Sequence, residues 1–113
     1  MKKAYAPHLD VIRESITAIA GYQPTDKEAF LASAVTQDAV LMRLQVIGEH
    51  LSRMRRLDEE WFAEVADDAW FQLIGLRNVI SHGYETIDRE RIWQMMTDDL
   101  PDLQKSLAVF TDE

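Results

Sequence analysis

The chain contains no cysteine, so disulfides and thiolate-bound metals lie outside its chemistry. It has only four glycines and three prolines in 113 residues, which leaves room for long uninterrupted elements. No stretch approaches the ~20 apolar residues of a membrane span. Met1-Lys2-Lys3 leads into no apolar run of the signal-peptide kind. These absences give the expectation of one soluble, cytoplasmic domain over residues 1–113, long enough for a modest core. Positive charge is scarce as well: 12 Lys and Arg stand against 20 Asp and Glu, a net −8. A broad basic stripe for gripping nucleic acid is thereby excluded. Lysine is missing altogether between Arg43 and Arg91, where every basic residue is arginine, at 43, 53, 55, 56, 77, 89 and 91. Guanidinium matches phosphate geometry better than ammonium does, so a local arginine site on an acidic body remains open.

What is present is helical periodicity. Tyr5, Leu9, Ile12, Ile16 and Ile19 recur at steps of four and three and predict a first helix, ended by Gly21 and Pro24. Thr25-Asp26-Lys27-Glu28 has the form of a capping box. It predicts a long second helix from about Asp26 to Arg56. Phe30, Ala34, Leu41, Leu44, Gly48 and Leu51 form one stripe of it, and Val40, Ile47 and Met54 another. A helix apolar on two faces is deeply buried or touches a second subunit. Asp58 is the expected cap of a short helix through Trp61, Phe62 and Val65. Asp67 or Asp68 opens a third major helix with Trp70, Leu73, Ile74 and Arg77, for which Gly83 is the expected end. Asp88 starts the last helix, with Ile92, Met96, Leu103, Leu107 and Phe110 inward and Pro101 as a kink or a new start. The fold class is all-α, an antiparallel bundle of four to five helices.

Chemistry concentrates in Arg77-Asn78-Val79-Ile80-Ser81-His82-Gly83-Tyr84. An arginine holds a phosphate, and a histidine moves a proton near neutral pH. On a continuous helix Arg77 and His82 are ~140° apart, too far to act on one phosphate. Either the helix unwinds near Ser81 or His82, or Arg77 of one subunit meets His82 of another. The reaction that fits is metal-independent RNA cleavage. His82 takes the 2′-hydroxyl proton, the 2′-oxygen attacks the phosphate, and Arg77 stabilises the charge that builds there. Asn78, one turn before His82, is a candidate to fix its tautomer or touch the phosphate. A plain reading stands beside this one: Arg77 pairs with a carboxylate, His82 answers the helix dipole, and Tyr84 is a satisfied ring. Glu49 either pairs with Arg53 four residues on or orients Arg77 or His82 across the bundle. His8 and His50 have no companion at metal-ligand spacing, so neither metal nor cofactor is expected. Trp61, Trp70 and Trp93 read as core or dimer contacts.

The pieces Val46-Ile47-Gly48-Glu49, Trp70-Phe71-Gln72-Leu73-Ile74-Gly75-Leu76-Arg77-Asn78, Ile80-Ser81-His82-Gly83-Tyr84, Ile92-Trp93 and Asp99-Leu100-Pro101-Asp102-Leu103 together resemble HepT-like proteins of the HEPN superfamily. The resemblance covers about two-thirds of the chain. It implies a HEPN-like helical homodimer whose two Arg-x4-His-x-Tyr segments face one cleft. It implies a ribonuclease acting as the toxin of a toxin–antitoxin pair, with Arg77 and His82 catalytic and RNA as substrate. It also implies a partner, an MntA-like nucleotidyltransferase antitoxin, which silences the toxin by adding AMP to Tyr84. Negative charge and bulk placed beside Arg77 and His82 would repel a substrate phosphate. A second reading is a non-nucleolytic HEPN subunit that binds a nucleotide or docks a nucleotidyltransferase. The acidic composition favours that reading, and the intact Arg77–His82 pair favours the nuclease. The stretch His50-Leu51-Ser52-Arg53 departs from the family pattern, in which small residues and then a basic one are expected.

Overall fold

In the computed structural model, residues 3–22 and 26–108 are described, with residues 3, 77–82 and 84 described by their backbone alone. After a 3₁₀ turn at Lys3–Tyr5, α1 spans Ala6–Gly21, α2 Lys27–Leu31, α3 Ala34–Leu57, α4 Glu59–Val65 and α5 Asp68–His82. A second 3₁₀ turn, Tyr84–Thr86, leads to α6 at Arg89–Gln94. A π turn at Met95–Asp99 then joins α6 to α7 at Leu100–Leu107. Among the described residues there is no strand. No helix among them is long and apolar enough to cross a membrane.

The all-α expectation is met, and the core is the one that the periodicity picks out. Tyr5, Leu9, Ile12, Ile16 and Ile19 of the first helical face are all buried. They lie against α3, whose Val40, Leu41, Leu44, Ile47, Leu51 and Met54 are almost fully excluded from solvent. Both expected stripes of α3 are therefore used within one chain: α1 covers one side and α5 the other. Ala34 is the exception, since it stands exposed at the first turn. His8 meets His50 and Tyr22 meets Arg43, so α1 and α3 run antiparallel. Arg55 lies over the Phe71 ring, near the crossing of Gly48 with Leu73, so α3 and α5 are antiparallel as well.

The predicted long second helix is two helices. Ser33 takes an extended conformation and its hydroxyl accepts the Thr36 amide at 3.2 Å, which starts α3 afresh. The end of α2 is clasped by Gln37, whose buried side-chain amide donates to the Phe30 and Leu31 carbonyls, both at 3.0 Å, the former also accepting the Ser33 amide at 3.2 Å. The capping residue of α2 is Asp26, which accepts the Ala29 amide at 2.7 Å. The cap is thus Asp26 alone, since the residue three on is Ala29 and has no carboxylate to return the bond. Thr25 itself, with Pro24 and Phe110, lies outside the described residues. Asp58 and Asp88 cap α4 and α6 as expected.

Pro101 lies in the first turn of α7, so of the two expected outcomes it opens a new segment. The backbone accommodates the missing amide with the preceding π turn, in which the Leu100 amide reaches back to the Met95 carbonyl. Ile92, Met95, Met96, Leu100, Leu103 and Leu107 remain buried along the whole segment. Trp70 is fully buried and meets Phe62 edge-on at 5.3 Å. Trp61 stacks on Tyr5 at 4.2 Å, and Trp93 packs against Phe30 at 5.5 Å. The three tryptophans serve packing, as expected.

Candidate active site

α5 carries positions 77–82 of the segment, with Gly83 and Tyr84 just beyond its end, and its placement starts at its first turn. Asp67 accepts the Ala69 amide at 3.0 Å through one carboxylate oxygen. The other oxygen takes the Ser106 hydroxyl of α7 at 2.8 Å, so the cap also fastens α5 to the last helix. Leu73 and Leu76 are buried beside Trp70 and fix the rotation of α5 in the core. Opposite Leu73 the facing residue of α3 is Gly48. A methyl built there would overlap the Leu73 carbonyl oxygen and stand 3.1 Å from its carbon. The glycine is what lets the two helix backbones touch.

The far end of α5 is fixed in a different way. The helix is continuous through His82 and stops at Gly83, where the sequence placed its end. Gly83 does not adopt the left-handed backbone usual for such an end. Its carbonyl instead accepts the Thr86 amide at 3.1 Å and the Thr86 hydroxyl at 2.8 Å, closing the Tyr84–Thr86 turn. A side chain at position 83 would come within 2.9 Å of that hydroxyl, so a larger residue here makes the Thr86 side chain shift. Ile87 is buried next, and Asp88 caps α6 through the Glu90 amide at 3.0 Å.

One of the two routes by which Arg77 and His82 were to converge is therefore not taken. The helix does not unwind near Ser81 or His82. Positions 77 and 82 remain ~140° apart around its axis. The side chains of Arg77, Asn78, His82 and Tyr84 lie outside the described residues.

Glu49 follows the Gly48 crossing. Its carboxylate receives Arg53 Nε at 3.2 Å and stands 3.8 Å from Arg56 Nη2. The i,i+4 pair foreseen in the sequence is formed, and both partners are partly exposed.

His8 and His50 are not isolated, contrary to the sequence reading. Their Nδ1 atoms stand 2.9 Å apart and link α1 to α3. One ring must donate and the other accept, so the contact needs at least one neutral imidazole. Burial, and after it the Arg53 charge, hold the His8 imidazole below its ordinary value. The same two causes, with His8 itself, lower His50 against an opposing pull from Glu49. Among the described residues no three potential metal-ligating side chains cluster together.

A cleft of about 480 Å³ opens between α5 and the start of α6. Phe71, Gly75 and Leu76 line it from one side, and Ile87, Arg91 and Met95 from the other. Arg91 is closely held, with Gln72 at 2.6 Å, Gln94 at 3.0 Å and Asp99 at 3.5 Å. Burial pushes the Asp99 carboxyl up, Arg91 draws it back, and Asp98, Asp102 and Asp67 push it further. Sequence reasoning missed both the cleft and this network. Gln72 and Arg91 are nineteen residues apart, and nothing in the local pattern joins them.

Comparison with known proteins adds the following. A family model described as Ribonuclease HepT-like matches residues 12–110. A candidate RNase of Methanocaldococcus jannaschii is 24% identical over 100 residues, covering 88% of this chain and 89% of its own length. A probable ribonuclease HepT of Thermococcus cleftensis is 27% identical over 105 residues, covering 92% and 93%. A candidate RNase of Caldanaerobacter subterraneus is 24% identical over 106 residues, covering 93% and 92%. No solved structure matches the chain.

Proposed function

The chain belongs to the HepT-like ribonuclease family of the HEPN superfamily, and on that premise we propose that it is a metal-independent endoribonuclease toxin working as a homodimer. The observation that carries the two-chain reading is the unbroken helix through His82. Positions 77 and 82 on widely separated faces favour a site shared between two chains over one built within a single chain. A second copy brings Arg77 and His82 to a single phosphate if the two α5 ends meet.

His82 acts as the base that removes the ribose 2′-hydroxyl proton. The 2′-oxygen displaces the 5′-oxygen at phosphorus, and the departing 5′-oxygen takes up a proton from solvent, leaving a 2′,3′-cyclic phosphate and a 5′-hydroxyl. Arg77 stabilises charge on the phosphoryl oxygens. Asn78 orients the imidazole or the phosphate, and Glu49 supports the site from α3, where its neighbour Gly48 touches α5. Tyr84 is the regulatory position: an MntA-like nucleotidyltransferase transfers AMP from ATP to its hydroxyl, with pyrophosphate leaving. Each adenylate sets negative charge beside the catalytic pair.

The test is expression in a host without the antitoxin, following growth and RNA integrity for the wild type and for His82→Ala. Toxicity and RNA breakdown lost in the variant support the reading; equal harmlessness overturns it. Intact mass after incubation with the nucleotidyltransferase and ATP tests regulation separately. Adenylate increments must appear in the wild type and vanish in Tyr84→Phe.

A further inference from the structure

We propose that the cleft between α5 and α6 receives the base of a nucleotide flanking the scissile phosphate of a single-stranded RNA. The inference rests on the nuclease reading and adds a base-binding subsite to it.

Placement is the first argument. Phe71 and Gly75 line the cleft, and position 82 follows Gly75 by seven residues on the same unbroken helix. At ~100° per residue, positions 71, 75 and 82 fall within ~40° of one another, and position 82 is ~10 Å further along the axis than Gly75. The cleft therefore lies on the face of α5 that leads to His82, at a distance suited to a neighbouring nucleotide rather than to the reacting phosphate. Position 77 is on the far side of the helix, ~160° from Gly75.

Chemistry is the second. Leu76, Ile87, Ile92 and Met95 make the walls apolar. With Gln72 Oε1 taken by Arg91 and one Asp88 oxygen by the Glu90 amide, the Gln72 side-chain amide nitrogen and the second Asp88 oxygen remain to meet a base edge. Phe71 is a 44% exposed aromatic ring beside this space. Phe62 meets that ring edge-on at 5.7 Å and Arg55 sits over one of its faces at 5.8 Å, which steadies the ring and leaves its other face for stacking. Among the described residues the one cation of the lining, Arg91, is already engaged by Gln72, Gln94 and Asp99. A phosphate would find no uncommitted positive charge among the described lining and would meet Asp88. A flat, uncharged ring with polar edges suits the space better. Splayed bases of single-stranded RNA are recognised in this way, by an aromatic face and edge hydrogen bonds.

Methyl-labelled full-length protein gives the test, because Ile87, Ile92 and Met95 report on the cleft from inside. Adenosine, guanosine, cytidine and uridine are titrated singly to ~10 mM, well above the ~1 mM dissociation constant expected of such fragments. Saturable shifts confined to these methyls, with at least one nucleoside, are expected. They should weaken at least several-fold in Phe71→Ala and be absent with ribose 5-phosphate. No shift with any nucleoside overturns the proposal. So do equal shifts with ribose 5-phosphate, or shifts that follow protein concentration alone, the mark of a second copy covering the cleft. RNA fragment-end sequencing separates this outcome from the nuclease question. If the wild type cuts RNA and Phe71→Ala and Gln72→Ala leave the bases flanking the cuts unchanged, the subsite is refuted and the nuclease stands. If the methyls respond and no RNA is cut, the nuclease reading fails by itself.

Discussion

Replacing Gly48 by alanine opposes two effects of known sign. Alanine is the better helix former, and in a helix interior the exchange is worth about 1 kcal/mol in its favour. Against this, the new methyl overlaps the Leu73 carbonyl oxygen and stands 3.1 Å from its carbon. The obstacle is backbone in the middle of a buried helix, so no rotamer change relieves it. α3 and α5 must separate where both are packed by fully buried Ile47, Leu51, Trp70 and Leu73. Overpacking of this kind costs about 1–3 kcal/mol, and a backbone obstacle belongs at the top of that range. The expected net loss is about 2 kcal/mol, a fall in Tm of ~10 °C for a domain of this size. Gly75 is the internal control. It too is helical, yet a methyl there meets nothing within 4 Å, so Gly75→Ala should hold or raise Tm by a few degrees. Paired urea and thermal denaturation of the two variants decides the matter. If Gly48→Ala melts at or above the wild type, the backbone contact is not what the glycine serves, and the account of how α5 is held is wrong.

Other outcomes follow from the same contacts. Gln37→Leu removes the amide that meets the Phe30 and Leu31 carbonyls and should cost about 1–3 kcal/mol in urea denaturation; an unchanged midpoint would show those carbonyls satisfied without it. Both histidine values are lowered on folding, so the unfolded chain binds the extra proton first. Their contribution is present above the ordinary histidine range and lost as pH falls through the folded values. Stability measured downward from pH 7 should therefore decline, and His50→Gln should flatten the decline; an unaltered slope refutes the linkage. Asp58→Ala deprives the Trp61 amide of its 3.1 Å acceptor and should lower stability by about 1 kcal/mol without affecting RNA cleavage.

The helices and their buried faces were legible in the sequence because each rests on a local signal. Apolar spacing marks a face, and a carboxylate before it marks a start, as Asp58, Asp67 and Asp88 do. The break between α2 and α3 was overlooked because the apolar spacing from Phe30 runs on across it. Ser33, three residues before Thr36, was the available sign. The π turn was hidden for another reason: Pro101 declares a missing donor but not how the backbone before it adjusts. The His8–His50 contact and the Arg91 network join residues far apart in sequence, and no local pattern encodes them. In the candidate site the residue types and the helix end at Gly83 were readable. The Thr86 contacts at that glycine were not, since they replace the left-handed turn expected of such an end.

The Gln37 clasp has a consequence for how the molecule comes apart. It joins α2 to the first turn of α3 through a neutral amide, which neither gains protons nor answers to ionic strength in the range where proteins are handled. The opposite half of α3 is tied to α1 through two imidazoles. The long central helix is thus anchored by bonds that respond to different solution variables. Acid should loosen the α1 contact at His50 first, while the Gln37 corner stays closed. Backbone amides near His50 would then exchange with solvent before those near Gln37, giving the unfolding a direction.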